Sequence, residues 1–179
     1  GSTDALNGLM DMVNKGDLGK EKSNALWVVI SKIFIEESNG IEWNTEGEIE
    51  WGFDAKIGRV ILKGLGQIEG YANGGRTCKI SDYTYNGDGI APWRKKHENQ
   101  IQSAVVCYGI SSIGSYVFRD CKNLKSVVIP ESVTSIGERA FENCKKMIEF
   151  FIPCSVTPIG INPFAECEQL RRIEVAEGS

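Results

Sequence analysis

Residues able to do chemistry are few in this chain, and their spacing suits no reaction well. His97 is the only histidine, and it closes Arg94-Lys95-Lys96-His97, the single basic cluster. A histidine acting as general base needs an oriented nucleophile beside it, and no Ser, Cys or Asp is placed by the sequence as that partner. The cluster reads instead as a small solvated patch. Six cysteines, Cys78, Cys107, Cys121, Cys144, Cys154 and Cys167, contain no C-x-x-C pair, and one histidine is too few for the usual zinc sets. Asp82, Asn86 and Asp88 sit in a turn-rich stretch without the spacing of a calcium loop. Gly64-Leu65-Gly66 followed by Gly70 matches a dinucleotide fingerprint in glycine count only, because no long crossover helix follows. Glu48 and Glu50 could supply paired carboxylates, but alternate residues on an open strand face are more simply solvated. The reading is therefore a non-enzyme, with no catalytic residue, metal or cofactor assigned.

Composition narrows the alternatives. The chain has 179 residues, an apolar fraction of 41% and a formal net charge of -4. That fraction is enough for a core, and the charge argues against non-specific binding to nucleic acid or anionic lipid. No apolar run approaches the roughly 18 residues of a membrane span. The longest, Ala25 to Ile35, is short and holds Ser31 and Lys32. Gly1-Ser2 reads as an expression scar and is set aside, so localisation is not legible from this end.

The elements that would position a working surface can be read in order. Leu6, Leu9, Met10 and Val13 mark one face of a helix over residues 3 to 15. Gly19-Lys20-Glu21-Lys22 reads as a polar connector. A second helix is expected from Asn24 to Ser38, with Ser23 or Asn24 as its cap and Asn39-Gly40 as its stop. Leu26, Val29, Ile30, Ile33 and Phe34 form its stripe, widened by Trp27, Val28 and Ile35, which predicts burial on more than one side. This helical segment is expected to cap the end of the fold, the alternative being a membrane-surface or partner helix; Glu36 and Glu37 oppose anionic lipid and favour the cap. From Ile41 the period becomes two. Ile49, Trp51 and Phe53 alternate with Glu48, Glu50, Gly52 and Asp54, predicting a half-buried strand. Residues 54–58 turn, Arg59 to Lys63 return, and a further strand is expected within Thr77 to Tyr85 before the loop Asn86-Gly87-Asp88-Gly89.

The remainder repeats with a fixed step of 23 residues. Ile113-Gly114 returns as Ile136-Gly137 and Ile159-Gly160; Phe118 as Phe141 and Phe164; Cys121 as Cys144 and Cys167; Ile129-Pro130 as Ile152-Pro153. The register extends back to Ile101, Ala104 and Val106, ahead of Leu124, Val127 and Ile129, then Met147, Phe150 and Ile152, then Leu170, Ile173 and Val175. Each set has the form L-x-x-L-x-L, the strand signature of a leucine-rich repeat, whose strands should stack in parallel about 4.8 Å apart. Residues 115–120 and 138–143 are expected to make about one helical turn on the far side, with Phe118, Phe141 and Phe164 filling the core. Glycine at 114, 137 and 160 is expected where a side chain would obstruct a backbone bend. Cys121, Cys144 and Cys167 should stack as a column of small buried residues rather than as disulfides, leaving Cys78, Cys107 and Cys154 unassigned.

Val133-Thr134-Ser135-Ile136-Gly137, then Ala140-Phe141 and Cys144, then residues 150–153, resemble the BspA-like leucine-rich repeats. Upstream, Trp51-Gly52-Phe53-Asp54, Gly58, Gly64-Leu65-Gly66, Tyr71 and Pro92-Trp93 resemble the β-rich leader that precedes such repeats in bacterial surface proteins. The resemblance covers about residues 45 to 175 and leaves out residues 3 to 40. It departs from the pattern at Ala176 and Cys107, which stand in place of the repeat proline, and at Pro163. No asparagine ladder is present; Ser132 and Ser155 stand near its place, and the cysteine column reads as its packing substitute. The implied fold class is α/β: a leucine-rich-repeat solenoid with 23-residue repeats and parallel strands, preceded by a β-rich leader and a helical N-terminal cap. The corresponding divisions are residues 3–40, 41–100 and 101–179.

Two outward rows of the repeat strands form the expected contact surface. One runs Ser103, Ser126, Glu149, Arg172 and the other Val105, Val128, Phe151, Glu174. Three apolar residues in one outward row suit a protein ligand, with Val105, Ser126, Val128, Glu149, Phe151, Arg172 and Glu174 as contact residues and Phe151 as anchor. The alternative is that the N-terminal part folds over the row. Arg171, Arg172 and Glu174 on the last strand should discourage edge pairing, so that the array either ends there or continues. The resemblance implies a bacterial surface or secreted, adhesin-like protein that contacts host or microbial proteins. A spacer displaying another domain is the second expectation. No cofactor, nucleic acid or membrane insertion is expected.

Overall fold

The computed structural model describes residues 2–65 and 77–177; Gly66, Gly70 and Tyr71 of the glycine-rich and leader motifs lie outside the described residues. Helices α1 (Ser2–Asn14) and α2 (Lys20–Glu37) come first. Strands β1 (Trp43–Glu46), β2 (Ile49–Asp54), β3 (Arg59–Gly64) and β4 (Cys78–Ile80) follow, then a 3-10 turn (Gly87–Gly89) and helix α3 (Pro92–His97). The repeat part holds β5 (Ser103–Val106), β6 (Ile110–Ile113), β7 (Ser126–Val128), β8 (Ser135–Ile136), β9 (Glu149–Ile152) and β10 (Arg172–Val175).

The main sheet runs β1-β2-β3-β5-β7. It is antiparallel from β1 to β3 and parallel from β3 onward, with Arg59 opposite Ser103 and Ser103 opposite Ser126. Strand β3 therefore joins the antiparallel strands to the repeat sheet without a break. Strands β9 and β10 continue the same parallel direction, with Arg172 opposite Glu149 and Val175 opposite Ile152. A second parallel sheet, β4-β6-β8, lies on another side and is prolonged by the bridge between Ile136 and Ile159.

On the third side the expected helical turn is replaced by turns tied across the repeat boundary. The amides of Tyr116, Phe118 and Asp120 donate to the carbonyls of Glu138, Ala140 and Glu142 in the next repeat. This path needs left-handed backbone at Tyr116 and Asp120, repeated at Arg139 and Asn143 and at Asn162 and Glu166. Glycine is not what supplies it. Gly114, Gly137 and Gly160 serve close approach instead: an added Cβ would lie 2.2 Å from the Ser81 carbonyl, 2.4 Å from the Ser115 nitrogen and 2.4 Å from the Glu138 nitrogen, respectively.

The core lies between these layers. Ile101, Ala104, Val106, Leu124, Ile129, Met147, Phe150 and Ile152 are all buried. An aromatic spine runs Trp93–Phe118–Phe141–Phe164, with centroid separations of 6.4, 5.5 and 5.8 Å. Helix α3 starts that spine. Its Trp93 indole donates to the Val117 carbonyl at 3.0 Å, and Arg94 is buried beside it, donating to the Tyr116 carbonyl at 2.9 Å. The basic cluster is thus not a uniformly solvated patch. His97 likewise departs from the solvated reading: its ring stacks on Phe53 with centroids 4.1 Å apart.

The helical segment differs from expectation in three ways. Helix α2 starts at Lys20, within the stretch read as connector, and Gly19 at φ 75 is its N-cap without a side-chain bond. Ser23 is inside the helix and buried. The buried stripe is Ser23, Trp27, Ile30, Ser31 and Phe34, narrower than expected, and Val29 is exposed. Finally, the two helices lie on the main sheet rather than over the end of the repeats. Leu6, Val13, Trp27, Ile30 and Phe34 form one apolar cluster with Ile61, Val105 and Cys107 of the sheet face. Both surfaces are apolar, and each removes the other from water.

Candidate protein-binding face

The outward side of the main sheet is divided by this helical hairpin. Along the second row, Ile61 on β3 stands opposite Val105 on β5, and Val105 opposite Val128 on β7. Val105 is 2% exposed beneath the helices, so it cannot serve as a surface contact in this conformation. Val128 is half-buried and packs against the same cluster, and Phe151 is half-buried further along the row. Ser126, Glu149, Arg172 and Glu174 are exposed. The row of three exposed apolar residues is thus reduced to two half-buried ones, Val128 and Phe151, flanked by charge.

Polar contacts fix the hairpin to the sheet at its edges. The Tyr108 amide donates to the Ser31 hydroxyl at 2.8 Å. Arg59 reaches Glu37 at 3.6 Å and lies 5.0 Å from the centroid of the Phe34 ring. Lys63 pairs with Glu50 at 3.0 Å and sits over Trp43. Cys107 lies wholly buried under the hairpin. Burial pushes its thiol up to about 12, with the Ser31 hydroxyl and Lys63 opposing the shift. A thiol held this far into its neutral form is a packing group, not a nucleophile.

The open part of the face is charged on its surface. Arg172 donates to Glu149 at 2.7 Å and lies 3.7 Å from Glu174. These exposed pairs order the side chains with small net stabilisation. Where the turn between α1 and α2 meets the ends of the strands, a cavity of about 210 Å³ is lined by residues including Leu18, Lys20, Glu131, Cys154 and Glu177.

Cysteines 121, 144 and 167 stand in column, with Cys144 Sγ donating to the Phe118 carbonyl at 3.3 Å and Cys167 Sγ to the Phe141 carbonyl at 3.1 Å. They are free thiols, as are Cys78, Cys107 and the exposed Cys154. Burial raises Cys121 to about 12 and Cys144 well above its ordinary value. Beyond the column, Arg119 pairs with the buried Glu142 at 2.6 Å, and Arg139 reaches the same carboxylate at 2.7 Å. Sequence reasoning missed this network because charged residues at turn positions read as solvated. Among the described residues no group of His, Cys, Asp and Glu could hold a metal ion, and no helix is long and apolar enough to cross a membrane.

One parallel strand per repeat, an inward L-x-x-L-x-L set and mixed α/β layers define a leucine-rich-repeat protein. Residues 96–179 match the BspA type leucine rich repeat region in six copies. Among solved structures, the chain is similar to a leucine-rich repeat protein from Eubacterium ventriosum, at 24% identity and a TM-score of 0.48, covering 75% of this chain and 44% of that one. A leucine-rich repeat protein from Bacteroides capillosus is 22% identical with a TM-score of 0.45, over 75% of this chain and 99% of that one. The leucine-rich repeat protein of T. pallidum is 15% identical with a TM-score of 0.41, over 74% and 71% of the two chains. The chain thus spans less than half the length of the E. ventriosum protein. No curated protein matches it.

Proposed function

We propose that this chain is a non-enzymatic protein-binding module, displayed at the bacterial surface or secreted, which engages a host or microbial protein through the outward face of its repeat sheet. The reading takes the repeats as a solenoid with a 23-residue step, following the helical segment and the β-rich leader. The observation that carries it is the strip beside the helical hairpin, where the half-buried Val128 and Phe151 lie among the exposed Ser126, Glu149, Arg172 and Glu174. An apolar centre with a charged rim is the usual anatomy of a contact patch, and Phe151 is its anchor. Leucine-rich-repeat domains typically bind other proteins, which supports the same reading.

The test is capture on an array of immobilised extracellular-matrix proteins, with Val128→Asp and Phe151→Asp combined in one variant. Binding by the parent chain should be lost in the variant while its circular-dichroism spectrum is retained. Capture unchanged in the variant would remove this strip as the site. A second reading, a spacer displaying another domain, is favoured by the continuous aromatic spine, which packs each repeat on the next. It predicts no capture by the parent chain on any such array.

A further inference from the structure

The fold gathers polar residues that the sequence keeps apart. Just before β5, β7 and β9 the chain enters each strand through a bend. Gln100, Asn123 and Lys146 stand at one position of that bend, a step of 23 residues apart, and Gln102 and Lys125 stand at another. With Asn99 they line a groove of about 260 Å³. Every lining side chain is an amide or an ammonium group; none is apolar and none is a carboxylate. In a chain with 24 acidic and 20 basic side chains, that lining departs from the average surface. A cleft lined by one sign of charge concentrates ligands of the other sign.

Hydrogen bonds within the groove leave it rich in donors. The Asn123 side-chain nitrogen donates to the Asn99 carbonyl at 2.7 Å and ties one bend to the next. His97 Nδ1 donates to Gln100 Oε1 at 2.9 Å, and Lys125 Nζ to Gln102 Oε1 at 3.5 Å. Both glutamine oxygens are thus engaged, and what each side chain has left is its NH2 group. The neighbouring Lys145 is held by Glu168 at 2.7 Å, whereas among the described residues Lys125 and Lys146 pair with no carboxylate. Two NH2 groups and two ammonium groups therefore await a ligand that brings acceptors, and charge-assisted bonds favour anionic ones. The groove is smaller than the roughly 300 Å³ of a site that encloses a whole small molecule, so it suits one unit of a longer ligand. Its two columns run from repeat to repeat, as a linear polymer would. An acidic peptide would bring apolar side chains for which this lining has no place. A nucleic acid strand would call for aromatic stacking platforms, and none lines the groove. Sugar hydroxyls and acidic oxygens are what amides and ammonium groups bind. We propose that this groove binds an acidic polysaccharide, seating a carboxylated or sulfated sugar unit against Lys125 and Lys146 with the NH2 groups of Gln100 and Gln102 on its oxygens. The site lies at the entry to the strands and does not depend on the strip around Phe151.

Surface plasmon resonance of the full 179-residue chain over immobilised polygalacturonate, heparin, dextran and polyglutamate tests this. Polygalacturonate carries carboxylates alone and heparin adds sulfates, so the two surfaces distinguish the sources of the anion. At least one of them should bind the chain, more weakly as salt rises, and dextran should not. Lys125→Gln with Lys146→Gln should weaken that binding about tenfold or more. Gln100→Glu with Gln102→Glu keeps side-chain size, replaces the NH2 donors by carboxylates, and should weaken it at least as far. Lys22→Gln with Lys32→Gln removes the same charge from exposed positions on α2 and should leave binding nearly unchanged. Matching circular-dichroism spectra confirm that all the variants fold. No binding to either acidic polysaccharide overturns the proposal, and so does equal binding to dextran. Equal binding to polyglutamate overturns it in favour of an acidic peptide. An α2 variant as weak as the groove variants overturns it as well, because net charge rather than the groove would then be at work.

Discussion

The Tyr108 amide donates to the Ser31 hydroxyl at 2.8 Å, tying helix α2 to the turn that follows β5. Around that bond, Ile30 and Trp27 cover Ile61, Val105 and Cys107, so the helical hairpin and the sheet face share one apolar layer. Ile30→Ala should cost about 2–5 kcal/mol of that layer's stability. Because the layer is separate from the repeat core, the loss should be local. Hydrogen exchange should quicken in α1 and α2 while the amides of β7 and β9 stay protected. In the parent protein a thiol reagent should modify the exposed Cys154 first, and in the variant Cys107 should follow it. Uniform loss of protection through the repeats would refute this division.

Phe141 is fully buried, stacked between Phe118 and Phe164, with Phe150 against its edge at 4.8 Å. Phe141→Ala should cost about 3–5 kcal/mol. Phe164→Ala removes a ring that already meets solvent and should cost clearly less. Urea denaturation of the two variants gives the ordering, and equal costs would mean that the spine does not carry the repeat core.

How much of this was legible beforehand follows from what each residue's neighbours contribute. Periodicity fixes which side of a repeat strand faces inward, so Leu124, Met147 and Phe150 are placed correctly from spacing alone. Strand β2 was likewise readable from alternation, and β3 as the apolar run that returns after the turn at residues 54–58. Strand β1 was not, because Trp43 to Glu46 has no strong alternation and is held by pairing with β2. The helical segment was legible as helix but not in position. Two surfaces of matching hydrophobicity show that each needs a partner without showing that they are each other's. Hence Val105 reads as a contact residue until α2 is laid upon it, while the exposure of Glu149, Arg172 and Glu174 is unaffected. Arg94 reads as solvated for a related reason: the carbonyl of Tyr116 that receives it lies 22 residues away.

Gly137 and Gly8 form a matched pair for testing close approach. A Cβ on Gly137 would stand 2.4 Å from the Ser115 nitrogen and 2.5 Å from the Gly114 carbonyl carbon, all backbone, so neighbouring repeats would have to separate. Gly8 lies in α1 with nothing within 4 Å of an added Cβ. Gly8→Ala should therefore stabilise the helix by about 0.5–1 kcal/mol. Gly137→Ala should destabilise by about 1–3 kcal/mol, the usual cost of overpacking. Thermal melts of the two should move in opposite directions.

Alkaline stability reads the buried thiols directly. Cys107 and Cys121 have their pKa raised by burial from 9.0 to about 12, and Cys144 is also raised. A raised pKa means that the folded state holds its proton more tightly than the unfolded chain. The associated stability is fully present below pH 9 and drains away as pH rises toward 12. Each such thiol contributes a slope of at most about 1.4 kcal/mol per pH unit within that window. Tyr83, raised by burial and by Glu46, adds to the same loss above its ordinary value of 10.0. Urea midpoints measured from pH 7 to 10.5 should hold steady to about pH 8.5 and then fall. Cys121→Ala should begin from a lower midpoint but fall less steeply, because one titrating thiol is gone while Cys107 and Cys144 remain. An unchanged slope in that variant would show that Cys121 ionises in the folded protein as readily as in the unfolded chain, and so is not part of the dry column.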